Sequence, residues 1–340
     1  MKRGWMAAAA AAVSLCMAGC GTEQQPVTQA TTSAATSTVI TTEAPKQSIK
    51  SDAEKLALEV SRCKQELEAA EKELNTRKQE YTDAEKVYTD AKNALDNYNS
   101  EHADIVPQIG KGTLGFFEYV GAEAAVEVLK NAEHASSTQI GDPNDATSLD
   151  NMRATFPHLR TCNILRDDAE VSDLRITDRL MAIAESNLNW TDEHLESSGQ
   201  FDVEENFAAG YENPYYIWYD KERDSEGEHY RRVVGDSYAL TGFAYCTAKR
   251  SGQYDFSHCQ VFTGKSDEES FTIDEYEERF TKFYNAVTLA ADEVKELTAE
   301  MNAAKEKADE FKKTYEDAET AYQTANENYQ KAESIYNWYT

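Results

Sequence analysis

Two long stretches of the chain carry an apolar residue at alternating spacings of three and four. This spacing, sustained over many turns, is typical of a coiled coil, in which two helices pack along a narrow apolar seam. The first seam comprises Leu56, Val60, Cys63, Leu67, Ala70, Leu74, Tyr81, Ala84, Tyr88, Ala91, Leu95 and Tyr98, with Arg77 as its one interruption. The second comprises Phe280, Phe283, Val287, Ala290, Val294, Leu297, Met301, Ala304, Ala308, Phe311, Tyr315, Ala318, Tyr322, Ala325, Tyr329, Ala332 and Tyr336.

We interpret the two stretches as one antiparallel pair of helices, with arms at 51–100 and 271–340 bracketing a middle region. Each arm would extend roughly 70–85 Å at 1.5 Å per residue. Many seam positions alternate Tyr with Ala, which packs a large ring against a small residue. The pair is a stalk or spacer, or else a rod that binds a partner or dimerises, and the seam spacing does not separate these alternatives.

The charge balance limits the partners that this chain can have. The chain of 340 residues has 34 basic and 62 acidic side chains, a net charge of −28. Such a surface repels nucleic acid and anionic lipid and attracts cations or basic partners. We therefore expect no nucleic-acid ligand.

The N-terminal residues have the composition of an export signal. Lys2 and Arg3 precede the short apolar run AAAAAAVSLCMAGC, which predicts a signal peptide over residues 1–19. The exit CMAGC resembles the bacterial lipoprotein signature, which implies a lipidated Cys20 and a protein anchored on the outside of a bacterial cell membrane. An ordinary cleaved signal is the alternative. Residues 20–50 are rich in Thr, Ser and Gln and predict a disordered tether after the anchor.

The middle of the chain changes from helical to strand-like patterns. Residues 101–144 predict a helical connector, and 145–264 contain two further helices followed by alternating segments at 241–247 and 258–262, which we interpret as antiparallel strands. Helices first and strands later predict an α+β fold.

A series of short motifs in this region resembles the CAP superfamily (cysteine-rich secretory, antigen 5 and pathogenesis-related-1 proteins), in particular its bacterial branch. The motifs are CNILR, LRITDRLMAIAE, EEN at 204–206, WYDKE at 218–222, GEHY at 227–230 and YALTGFAY. The resemblance covers about residues 145–264 and leaves out the arms. It implies an α-β-α sandwich with a central cleft, here flanked by the antiparallel coiled coil.

The same resemblance implies a divalent-metal site, often for zinc, formed by two histidines and two acids in the cleft. Carried over residue by residue, the ligands are His194, Glu205, Glu222 and His229. Imidazole nitrogen and carboxylate oxygen both suit zinc. The chain departs from the family at two places: the histidine of the bacterial branch often stands nearer to position 197, and Lys221 stands where the family has its second acid, one residue before Glu222.

Other residues of these motifs have structural interpretations. Trp218, Tyr219 and Tyr230 are expected to pack in the core rather than contact a ligand. Asn206 is expected to order its loop through backbone hydrogen bonds.

Four cysteines follow Cys20. Export permits disulfides, and Cys246 and Cys259 end and begin neighbouring predicted strands, so we expect a bridge between them. Cys63 lies on the order of 50 Å along its arm from the middle region, too far to pair with Cys162. It is a small buried seam residue or a crosslink between two chains.

These observations lead us to expect a surface-anchored CAP-domain lipoprotein. Its expected role is non-catalytic binding of a lipid, a cell-wall component or a host partner, with a possible metal in the cleft. One alternative is a metal-assisted hydrolase of peptide or wall material that uses the same four residues. Another is a structural spacer with a degenerate cleft. No Gly-x-Ser-x-Gly elbow is present, which disfavours a Ser-His-Asp hydrolase.

Overall fold

The computed structural model describes residues 45–194, 197–247, 254–265 and 267–340. The predicted signal peptide, Cys20 and the tether up to residue 44 lie outside the described residues. The helices are α1 (Pro45–Glu101), α2 (Gly112–Val120), α3 (Glu123–Asn131), α4 (Leu149–Asp168), α5 (Asp178–His194), α6 (Glu228–Val234) and α7 (Ile273–Tyr339). The strands are β1 (Arg175–Ile176), β2 (Glu204–Ala209), β3 (Leu240–Cys246) and β4 (Ser257–Thr263).

The two longest helices, α1 and α7, pack against each other in opposite directions. The rings of Tyr81 and Tyr315 stack at 6.0 Å. Further along α1, Ala84 lines one groove together with Ala304 and Phe311, which lie earlier in α7. A later position in α1 thus faces an earlier position in α7, which confirms the predicted antiparallel pair. Helix α1 begins at Pro45, so six residues that we placed in the tether belong to this helix.

The seam positions are the least exposed residues of this two-helix arm, as the spacing predicted. Its buried members are Cys63, Ala84, Val287, Ala290, Ala308 and Ala318. Apart from the seam, the residues of both helices in this arm are mostly exposed to solvent.

Between the arms lies a four-stranded sheet with the strand order β1-β3-β4-β2. Strand β1 runs parallel to β3, whereas the β3–β4 and β4–β2 pairs are antiparallel. Strands β3 and β4 lie where the alternating pattern predicted them. The fold is therefore mixed α+β.

Helices pack against both faces of this sheet. On one face, the backbone of α5 at Leu180 approaches β3 so closely that a Cβ on Gly242 would overlap it. On the other face, His158 of α4 stacks on Phe243. Side chains of a strand alternate between the two faces of its sheet, so neighbouring residues of β3 face different helices.

The predicted connector is part of the same core. Phe116 and Phe117 of α2 are fully buried, and the Phe116 ring contacts Tyr276, Phe280 and Phe283 of α7. The first turns of α7 thus pack in the α/β domain rather than along α1. Our assignment of Phe280 and Phe283 to the coiled-coil seam was therefore wrong.

The predicted bridge between Cys246 and Cys259 is also wrong, since the structure has both side chains as buried thiols. The register of the hairpin explains why: Cys246 is opposite Ser257, and Cys259 is opposite Ala244. The two cysteines are therefore diagonal neighbours, typically about 7–8 Å apart, whereas a disulfide needs Cβ atoms within about 4.5 Å. Cys162 is a third buried thiol of this domain, and Cys63 lies in the arm.

Among the described helices, none combines the length and the apolar character that crossing a membrane requires.

Candidate functional site

The segment between β2 and α6 is held by a single turn of π-helix at Tyr216–Asp220. Its wide turn is closed by a hydrogen bond from the Lys221 amide to the Tyr216 carbonyl, 3.0 Å long. Trp218 is fully buried beneath it and donates its indole N–H to the Phe207 carbonyl at 3.0 Å. The tryptophan therefore fixes this segment to β2, in agreement with its expected place in the core.

The π-turn changes which side chain enters the site. A π-turn contains one residue more than an α-turn, so it rotates the following residues back by about one position. On an α-helix, an acid three residues after Trp218 would point in a given direction. Because of the π-turn, Glu222 takes that same direction although it stands four residues after Trp218. Lys221 is exposed, and its ammonium lies 4.9 Å from the centre of the Tyr216 ring. Lys221, which stands where the resemblance led us to expect an acid, thus contacts Tyr216 rather than Glu222.

Glu222 and His229 form a tightly hydrogen-bonded pair. The Nδ1 atom of His229 lies 2.7 Å from one oxygen of Glu222, and the His229 amide donates to the other oxygen at 2.9 Å. Gly227 permits this approach, since a Cβ there would overlap the carboxylate. Partial burial acts to raise the pKa of Glu222, but the hydrogen bonds and charge of His229 and the amide of Tyr230 outweigh it and lower this pKa.

Glu205 lies in a different environment on β2. Asn187 of α5 donates to one oxygen of Glu205 at 2.7 Å, and the Ser197 hydroxyl donates to the other at 3.4 Å. Burial raises the pKa of Glu205, although these two hydrogen bonds act in the opposite direction. The carboxyl group is thus turned toward α5, on the sheet face opposite to that of Asn206.

His194 stands apart from Glu205. It is exposed at the end of α5, where its Nδ1 atom is 2.9 Å from the Trp190 carbonyl. Its ring stacks on Trp190 at 3.5 Å, and His134 stacks on the same indole at 3.8 Å. The Ser197 hydroxyl lies next to the Glu205 carboxyl group.

Asn206 connects the two parts of the site through the backbone. Its side chain is fully buried and donates to the His229 carbonyl at 3.1 Å. This bond holds the start of α6 against the edge strand β2, which is the ordering role expected from the sequence.

Of the four predicted ligands, the structure therefore brings together only Glu222 and His229. Within residues 45–194, 197–247, 254–265 and 267–340, no group of three or more His, Cys, Asp or Glu side chains is arranged to hold a metal ion. Metal binding by the predicted set stays a prediction. In the neutral form of His229, a carboxylate on Nδ1 favours the tautomer that has its proton on this nitrogen, which leaves Nε2 as an acceptor.

No protein-family model matches the sequence, and no curated protein matches it.

Sequence reasoning missed Asn187 and Ser197, which hold Glu205. Position 197 did have a signal, since the resemblance to the CAP superfamily implied that a histidine often stands near it. Asn187 gave no such signal, because its role depends on how α5 packs against β2.

Proposed function

We propose that this chain is a lipid-anchored surface protein that presents a CAP-like binding domain at the end of a two-helix arm. The observation that carries the proposal is the insertion of the α/β domain between two antiparallel helices. Helix α1 has 57 residues, which corresponds to about 85 Å. Because α1 enters the domain at its C-terminal end, the predicted tether and Cys20 connect to the far end of the arm.

The helix–sheet–helix layers and the motif positions support a CAP-like sandwich. The edge strand β2 carries the EEN motif, α6 begins in the GEHY motif, and β3 contains TGFA. The Glu222–His229 pair is the part of this domain best suited to recognising a ligand. Its Nε2 atom can accept a hydrogen bond from a polar ligand or bind a divalent cation.

Binding of a lipid, a cell-wall component or a host partner is the role that we propose for the domain. The second candidate is the metal-assisted hydrolase of peptide or wall material. It is favoured by the imidazole of His229, which Glu222 orients, because such an arrangement also serves general-base catalysis. A spacer with a degenerate cleft is the third candidate, and it predicts that changing His229 has no effect on function.

The anchoring part of the proposal is tested by Cys20→Ser in the full-length chain expressed in bacteria. Wild-type protein should incorporate labelled fatty acid and sediment with membranes, and the variant should do neither. Cys16→Ser is the matched control, because Cys16 lies inside the predicted signal and should be removed with it. Membrane association that survives Cys20→Ser would overturn the anchor.

The cleft is tested separately with His229→Ala and Glu222→Gln in the full-length protein. Labelled wall fragments and lipid vesicles serve as probes, and product formation is followed in the same samples. Stoichiometric binding that both variants lose, without product, supports the binding module. Turnover that both lose supports the hydrolase, and unchanged behaviour of both variants would leave the spacer.

A further inference from the structure

A second pair of histidines lies on the α4 side of the sheet, outside the predicted metal set. His258 of β4 is 1% exposed. Its Nε2 atom is 2.8 Å from the Tyr211 carbonyl, so this nitrogen must carry the proton and donate it. The other nitrogen, Nδ1, is buried and has no hydrogen-bond partner among the described residues. A buried acceptor without a partner is uncommon in a folded protein and calls for an explanation.

His158 of α4 lies next to the imidazole ring of His258. The centres of the two imidazole rings are 4.9 Å apart, and their planes are inclined at 75°. His158 is half-buried, and its ring stacks on Phe243 at 5.3 Å. Phe243 and the fold of α4 thus fix one ring, while the Tyr211 carbonyl fixes the other.

The spacing of the rings matches two imidazoles that share one metal ion. With a metal–nitrogen distance of about 2.0–2.1 Å, the centre of a bound ring lies about 3.2 Å from the metal. Two such rings at a ligand–metal–ligand angle of about 100–110° then have centres about 5 Å apart. The observed 4.9 Å agrees with this value.

The hydrogen bond to Tyr211 is the second feature that points to a metal. A histidine that binds a metal almost always donates its other N–H to a carbonyl or carboxylate, which fixes the tautomer and directs the free nitrogen. His258 has this arrangement already formed, with Nε2 on a carbonyl and Nδ1 unpartnered.

We propose that His158 and His258 form a two-imidazole site for a divalent transition metal of the zinc and copper class, with solvent or an external ligand completing the coordination. Imidazole is a preferred ligand of these ions. Burial lowers the pKa of His158, and burial together with the neighbouring His158 lowers the pKa of His258 to about 3. Both rings are therefore neutral at neutral pH, as a metal ligand must be.

The test is calorimetric titration of zinc alone into the full-length protein, beside His158→Phe and His229→Ala. Phenylalanine retains a ring to stack on Phe243 and removes both nitrogens, so it separates ligation from packing. We expect one site in the wild type, a loss of at least tenfold in affinity in His158→Phe, and retention of this site in His229→Ala. With copper, electron paramagnetic resonance should show coupling to two imidazole nitrogens, and to fewer in His158→Phe.

Other outcomes would overturn the proposal. Absence of zinc and copper binding in the wild type would leave the two histidines as members of an aromatic core. Binding that His158→Phe retains and His229→Ala loses would place the metal at the Glu222–His229 pair instead. Circular dichroism of each variant shows whether the fold is preserved, and His258→Gln provides a second ligand deletion if His158→Phe is unfolded.

Discussion

At the scale of single residues, the domain contains a buried carboxyl group with an unusual environment. Glu185 of α5 is 1% exposed, accepts one hydrogen bond from the Thr113 hydroxyl at 2.8 Å, and has a second oxygen without a partner in the described chain. Burial raises the pKa of Glu185 well above its ordinary value of 4.5. The folded protein therefore keeps this group neutral over a pH range in which the unfolded chain ionises it.

Glu185 should make the folded state less stable as the pH rises. Between the ordinary pKa and the raised pKa, the folded state binds one proton more than the unfolded state, so the free energy of unfolding falls with increasing pH. Glu185→Gln removes this titration. We expect the variant to lose less stability than the wild type between pH 5 and pH 8, by on the order of 1–3 kcal/mol.

Denaturant unfolding at the two pH values measures this difference. Glu193→Gln, the same replacement at an exposed position of the same helix, is the control. Equal slopes for wild type and Glu185→Gln would show that Glu185 does not titrate differently in the two states.

A second buried residue, Arg166, donates hydrogen bonds to backbone carbonyls. It is fully buried at the end of α4 and donates to the carbonyls of Ser172, Val233, Gly235 and Tyr238 at 2.8–3.0 Å. These bonds connect α4 to the loop that follows it and to the segment from the end of α6 to the start of β3.

Arg166→Met should destabilise the domain by about 3–5 kcal/mol, because it removes the buried guanidinium that donates to four backbone carbonyls. Arg153→Met on the same helix is the control. Arg153 is exposed, so its replacement should cost less than about 1 kcal/mol. Thermal and denaturant unfolding compare the two, and similar small effects would mean that water replaces the guanidinium.

At the scale of elements, the arm has one polar interruption in its seam. Arg77 lies at a seam position of α1, and its guanidinium turns along the helix to pair with Glu73 at 2.7 Å and Glu80 at 2.9 Å. Its side chain is 36% exposed, so only its stem can cover the apolar line.

Arg77→Leu should stabilise the arm by about 1 kcal/mol, since it continues the apolar seam. Arg62→Leu is the matched control: Arg62 also pairs with acids three and four residues away, Glu59 and Glu66, but it lies off the seam. Thermal unfolding followed by helical circular dichroism should show a rise for Arg77→Leu alone. A rise in melting temperature for both variants would show that the gain comes from the loss of a charge rather than from a continuous apolar seam.

At the scale of the whole molecule, the antiparallel register determines which residues of α7 must be removed when α1 is shortened. Tyr81 faces Tyr315, so a step toward the start of α1 corresponds to a step toward the end of α7. By this register, residues 64–70 lie opposite residues 326–332, and each segment is one heptad.

Deletion of both segments should shorten the arm by about 10 Å and preserve its seam, because seven residues correspond to two turns. Deletion of 64–70 alone should leave about two turns of α7 unpaired and lower the melting temperature of the arm more than the paired deletion does. Small-angle scattering measures the length and circular dichroism the melting. A single deletion that is as stable as the paired one would contradict the register.

The sequence by itself determined the features that depend on local periodicity. The heptad spacing predicted the seam positions of α1 and of the outer part of α7, including the interruption at Arg77. The alternation at 241–247 and 258–262 predicted β3 and β4. Each of these patterns records which side of one element is buried, and this information lies within a short segment.

The tertiary structure alone decided how those elements meet. It joined α2 and the first turns of α7 to the domain core through Phe116, set the β3–β4 register that separates Cys246 from Cys259, and turned Glu205 toward Asn187. It also paired Glu222 with His229 through a π-turn, and placed His158 beside His258, 100 residues later in the chain. These arrangements depend on contacts between distant segments, for which one sequence carries no periodic signal.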